Sequence, residues 1–117
     1  MNERRQIDQA NWSDYLGEVA RERRGWLVAV EVVGPNEVLT KREIDLPAMG
    51  LPLLALEYEP ATKGNAFILS VGEETVDYEH LVDAPVELVE NLDAGGRLSS
   101  LEILDRNGVC TRLNFID

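Results

Sequence analysis

The chain is short of the residues that most often carry chemistry. It has one cysteine, Cys110, so it holds no intramolecular disulfide framework and no Cys-cluster zinc site. It has one histidine, His80, which leaves little material for His-based metal binding or proton transfer. Its seven aromatic residues (two Trp, three Tyr, two Phe) are too few to line a sugar-binding cleft as well as a core. Positive charge is also scarce, with 11 Lys and Arg against 22 Asp and Glu and a net charge of -11. That balance provides no basic footprint for nucleic acid or for an anionic membrane. The longest apolar stretches, Trp26–Val30 and Leu51–Leu56, are far below a membrane span. The opening Met1-Asn2-Glu3-Arg4-Arg5 leads into polar residues with no apolar secretion core, so the cytoplasm is the expected compartment.

What remains is a chain of 117 residues, 44% apolar, which suits one domain over 1–117. It is too hydrophobic to be a disordered acidic tail. The charge is uneven. Residues 1–25 carry five acids and five arginines, so the excess acid belongs to the rest. Residues 73–93 hold eight acids (Glu73, Glu74, Asp77, Glu79, Asp83, Glu87, Glu90 and Asp93) and no Lys or Arg. Such a run reads first as the solvated face of strands, and second as a cation site or a surface for a basic partner.

The first element reads as a helix over about 12–24. Trp12, Tyr15, Leu16, Val19 and Ala20 form a single stripe at helical spacing. Asn11 is the expected N-cap, Asp14 favours the positive end of the dipole, and Gly25 is the expected stop after Arg21, Arg23 and Arg24. The period then changes to two. Strands are expected at 26–33, 37–45, 53–59, 65–71, 75–82, 86–92, 97–104 and 109–116. Gly34-Pro35-Asn36, Leu46–Pro52, Pro60–Gly64, Gly72–Glu74, Asp83–Pro85, Asp93–Gly96 and Asp105–Gly108 provide the breaks. Asn107-Gly108 between two alternating runs signals a tight hairpin. Apolar residues on both faces of 26–33 imply a central strand or, failing that, a homodimer contact. Trp12 and Trp26 are both expected in the core. The expected class is α+β, one N-terminal helix packed on a curled antiparallel sheet of about seven to eight strands, barrel-like or two-layer.

The candidates for chemistry are few. Asp77-Tyr78-Glu79-His80 is the one stretch that places a histidine among acids, and it is the candidate ligand-binding set. Strand alternation puts Tyr78, His80 and Val82 on one face and Asp77, Glu79 and Leu81 on the other. Cys110 reads as a small apolar filler. Asp105-Arg106-Asn107-Gly108 lacks the sixth-position glycine and twelfth-position glutamate of a calcium loop. Asp93-Ala94-Gly95-Gly96 lacks a phosphate-cradling pattern. No metal, cofactor or catalytic residue is expected, and the reading leans away from an enzyme.

Taken together, Trp12-x-x-Tyr15-Leu16, Arg23-Arg24-Gly25, Val30-Glu31-Val32, Leu46-Pro47, Leu101-Glu102-Ile103, Asn107-Gly108 and Thr111-Arg112-Leu113-x-Phe115 resemble a small bacterial family of about this length and of unknown function. The likeness spans nearly the whole chain. The second half is also similar to a group of uncharacterised short β-rich proteins. The shared residues there are Tyr58-Glu59-Pro60, Ala66-Phe67-Ile68 and Asp93-x-x-Gly96-Arg97-Leu98-x-x-Leu101-Glu102-Ile103-Leu104. These motifs are helix stripes, turns and strand alternation, so neither resemblance assigns a site residue. The expected function is a protein-interaction or regulatory module acting through an acidic sheet face or exposed strand edge, with an unknown protein partner or a second copy. The alternative is a divalent-cation or small-ligand domain using the acids of 73–93, and the third reading is a carboxylate-based hydrolase.

Overall fold

The computed structural model describes residues 2–34, 41–43 and 50–116. After a first strand, β1 (Glu3–Ile7), a short 3-10 turn leads into helix α1 (Trp12–Arg23). Eight strands follow: β2 (Leu27–Val33), β3 (Lys41–Glu43), β4 (Leu51–Glu59), β5 (Ala66–Val71), β6 (Tyr78–Asp83), β7 (Pro85–Leu92), β8 (Leu98–Asp105) and β9 (Cys110–Ile116). All their pairings are antiparallel, in the order β1-β7-β8-β9-β2-β4-β5-β6, with β3 joined to β2 beyond the point where β4 leaves it. Among the described residues β1 and β6 are the two ends of this path, so the sheet curls without closing. The result is the α+β arrangement that the helical stripe and strand spacing predict.

The stripe on α1 explains the packing. Trp12, Leu16 and Val19 are buried, and the helix lies against β4 on the concave side of the sheet. There the alternate residues Val28 and Val30 of β2, Leu101 and Ile103 of β8, Leu113 of β9 and Leu69 of β5 complete one core. The Trp12 indole meets Tyr58 edge-on at 5.0 Å and donates Nε1–H to the Ile7 carbonyl at 2.9 Å. That bond fixes the angle between β1 and the helix. Gly25, at φ 89, turns the chain out of α1, and its N–H meets the Leu53 carbonyl at 2.9 Å.

Several local expectations change. Asn11 occupies the N-cap position of α1 as expected, but its side chain makes no capping hydrogen bond; at φ -103 and ψ 0 it closes the 3-10 turn, its N–H donating to the Asp8 carbonyl. Leu51 and Pro52, expected in a loop, begin β4 opposite Val28 and Leu27. Trp26 is half-buried rather than in the core, with the Arg23 guanidinium 4.1 Å above its ring. The break expected at Asp83–Pro85 is present but takes one residue: Ala84, at φ 52, separates β6, which pairs with β5, from β7, which pairs with β8. Pro85 is tolerated there because β7 gains its second neighbour, β1, only from Leu88 onward. The turn expected at Pro35–Asn36 and the loop over Leu46–Met49 lie outside the described residues, and of the strand over 37–45 only β3 is described.

The hairpins β7–β8 and β8–β9 share one device. In each, an aspartate side chain accepts two backbone N–H groups: Asp93 those of Gly95 and Arg97, Asp105 those of Asn107 and Val109. Gly96 and Gly108 then take the left-handed position, at φ 81 and 84. This is how Asn107-Gly108 makes the tight hairpin its sequence implies.

Candidate functional site

The eight acids of residues 73–93 do not form one surface. Glu73, Glu74 and Asp77 are exposed in the turn before β6, which is closed by the Asp77 N–H on the Val71 carbonyl at 2.9 Å. Along β6 the strand period divides the side chains. Tyr78, His80 and Val82 stand opposite Val71, Leu69 and Phe67, toward the core side, whereas Glu79, Leu81 and Asp83 are exposed on the other face. The Tyr78 and His80 rings stack, with centroids 6.5 Å apart and planes 11° from parallel. Burial lowers the His80 pKa, which keeps the imidazole neutral at pH 7. Of the four residues singled out in the sequence, Tyr78 and His80 are therefore brought together. Asp77 and Glu79 stand apart from them. Among the described residues no group of three His, Cys, Asp or Glu side chains is placed to hold a metal ion.

Strand β6 is paired on one side only, with β5, among the described residues. Its alternate backbone N–H and C=O groups on the other side are those a further strand would use. Two exposed large apolar residues belong to this region, Val76 at 54% in the turn before β6 and Leu81 at 53% on it, whereas Val86 of β7 lines a hollow with Gln6, Gln9 and Trp12. An open edge therefore carries apolar side chains set among acids.

Glu90 and Asp93 belong elsewhere. Asp93 serves its turn, where the N–H of Arg97 foremost holds the carboxyl below its ordinary pKa. Glu90 lies in phase with Leu88 and Leu92 on the buried side of β7 and is only 9% exposed. Its two oxygens are held at 2.9 Å, one by the Tyr15 hydroxyl and the other by Arg5, its cross-strand neighbour in β1. Burial first, and Glu90 second, push the Tyr15 pKa far above the ordinary phenol value, so Tyr15 remains a donor. This triad floors a cleft of about 410 Å³ between α1 and the β7–β8 hairpin. Glu18, Glu22 and Arg23 form its helical wall, with Arg97 opposite. The sequence signal for this cleft is the acid that interrupts Leu88-x-Glu90-x-Leu92, which is hidden when the acids are read as one solvated run.

A second polar network occupies the outer face of the sheet. Glu102 accepts from Asn91 at 2.7 Å, pairs with Arg4 at 3.4 Å and with Arg112 at 3.6 Å, and lies 3.8 Å from the Cys110 sulfur. Burial alone would raise the Glu102 carboxyl, yet the Asn91 amide and Arg4 hold it below its ordinary pKa. The Cys110 thiol is pushed up by burial and then by Glu102, so it is not an activated nucleophile.

No curated protein and no solved structure is significantly similar to the chain. A family model described as a family of unknown function, DUF5335, matches residues 3–117. The match takes in every element from β1 to β9, and the chain belongs to that family.

Proposed function

We propose that this chain is a small protein-interaction module that takes up an extended, basic segment of a partner protein along the free edge of β6. The observation that carries this reading is the pairing of β6 with β5 alone among the described residues, together with its side chains. Val76 and Leu81 are exposed, Glu73, Glu74, Asp77, Glu79 and Asp83 are exposed around them, and residues 73–93 contain no Lys or Arg. Strand addition draws affinity from main-chain hydrogen bonds and specificity from alternate side chains. Here the apolar positions supply contact area and the acids select positive charge. The same acids oppose pairing of two β6 edges from separate copies, because like charges on facing strands destabilise. The edge is thereby kept open for a basic segment. The compartment in which this would occur is the cytoplasm, and the acidic edge suits a basic protein rather than nucleic acid or an anionic membrane.

The test is fluorescence anisotropy with a labelled peptide alternating Lys and Val, and with its Glu/Val counterpart as control. The Lys peptide binds at low salt and is released near about 1 M salt, where the screening length is about 3 Å. The double substitution Glu79→Lys and Leu81→Lys abolishes that binding while leaving the circular dichroism spectrum unchanged. Equal binding by that variant, or binding indifferent to salt, would sink the proposal. Light scattering that showed a dimer abolished by the same substitutions would transfer the edge to a second copy.

A further inference from the structure

We infer that the cleft between α1 and the β7–β8 hairpin is a binding site for a free basic amino acid. A buried carboxylate is costly on a sheet face that otherwise buries Leu88, Leu92 and Leu101. Glu90 is nonetheless held there in one orientation by Tyr15 and Arg5, each at 2.9 Å. A carboxylate has about four acceptor positions, of which these two bonds use half. The side chain keeps 12% exposure, toward the cleft it lines. The floor is thus an oriented acceptor open to a ligand cation.

The rest of the cleft is arranged along the helix. Tyr15, Glu18, Val19, Glu22 and Arg23 follow one another on the wall at steps of three, four, seven and eight residues from Tyr15. Tyr15 and Arg23 are therefore about 12 Å apart along the axis. At the far end the Arg23 guanidinium lies 4.1 Å over Trp26 and 5.2 Å from the Phe115 ring centre. Stacking of this kind orients a guanidinium while leaving its in-plane N–H groups directed outward. Arg97 lines the same cleft from the hairpin, on a turn pinned by Asp93. Between the two ends Val19, Leu92 and Leu98 supply an apolar strip.

A cation at one end, an aliphatic body, and a carboxylate beside an ammonium at the other end match this order of groups. The ligand's side-chain guanidinium or ammonium meets Glu90 and Glu18. Its methylenes cover the apolar strip. Its α-carboxylate meets Arg23 and Arg97, and its α-ammonium meets Glu22. A cleft of about 410 Å³ admits a molecule of that size. The C-terminal residue of a peptide would present the same carboxylate and side chain but no α-ammonium, so Glu22 favours the free amino acid.

The experiment is a titration of ¹⁵N-labelled protein followed by amide chemical shifts. The ligands are L-arginine, agmatine (no carboxylate), Nα-acetyl-L-arginine (no ammonium) and L-citrulline (no side-chain charge). L-Arginine is expected to produce saturable shifts centred on Glu90, Arg23 and Gly96. Agmatine and citrulline bind at least about tenfold more weakly, the equivalent of about 1.4 kcal/mol. Glu90→Gln removes the L-arginine response. Because that change also loosens the helix, Arg23→Gln is the second variant, and it weakens L-arginine while leaving agmatine unchanged. Acetyl-arginine binding as tightly as L-arginine would assign the cleft to peptide C-termini and overturn the inference. So would an unsaturable response, or equal shifts from agmatine and L-arginine.

Discussion

Removing one oxygen, by Tyr15→Phe, tests whether the helix is tied to the sheet through Glu90. The hydroxyl donates to the Glu90 carboxylate at 2.9 Å across 75 residues of sequence, in a partly buried setting. A hydrogen bond to a charged acceptor contributes about 1.5–3 kcal/mol net. Glu90 keeps Arg5 at 2.9 Å, and its 12% exposure lets water take the vacated position. The loss therefore lies at the low end, about 1.5 kcal/mol. For 117 residues, at about 2.1 cal/mol/K of unfolding entropy per residue, that is a fall in Tm of about 6 °C. Urea denaturation should show a lower midpoint with an unchanged slope, since the surface exposed on unfolding is the same. A double-mutant cycle with Glu90→Gln isolates the pair, and a coupling of about 1 kcal/mol or more is expected. A Tyr15→Phe protein within about 0.5 kcal/mol of the parent would refute the tie, because that is the range of an unremarkable surface substitution.

Gly72→Ala should destabilise by about 2 kcal/mol or more, read by the same denaturation, because φ is 152 and a Cβ would run into the Thr75 carbonyl and the Asp77 amide. Gly17→Ala, where a Cβ meets nothing within 4 Å on the helix, should instead stabilise by about 1 kcal/mol. His80 brings a pH dependence. Its folded pKa lies below the ordinary 6.5, so the unfolded chain takes up the proton first as pH falls. Stability should decline as pH drops through 6.5, and His80→Phe should remove that slope. Cys110, raised by burial and Glu102, should react with iodoacetamide at pH 8 more slowly than a free thiol, and Glu102→Gln should speed it.

Helix α1 was legible because its stripe and its burial are the same residues, Trp12, Leu16 and Val19. The strands from β4 onward were legible because glycine, proline and aspartate mark their turns. Strand β1 was not. Glu3-Arg4-Arg5-Gln6-Ile7 is exposed at four of five positions and has no apolar alternation to read; its pairing with β7 makes it a strand. The break at Asp83–Pro85 was legible from its turn composition, but not that one residue, Ala84, would make the corner. The candidate sites divided in the same way. Alternation correctly separated Tyr78 and His80 from Asp77 and Glu79. Tyr15 and Glu90 could not be joined by any local pattern, since their contact is made by tertiary packing.

The placement of β1 also sets a timetable for synthesis. Glu3 pairs with Leu92 and Ile7 with Leu88, so the first strand must wait until β7 has emerged before it has a partner. At about 5–20 residues per second, that delay is several seconds or more. The helix meets β4 earlier but reaches Glu90 only at the same late stage. During that interval the unpaired backbone of residues 3–7 stands open on the ribosome, and the apolar stripe of α1 does so until β4 emerges.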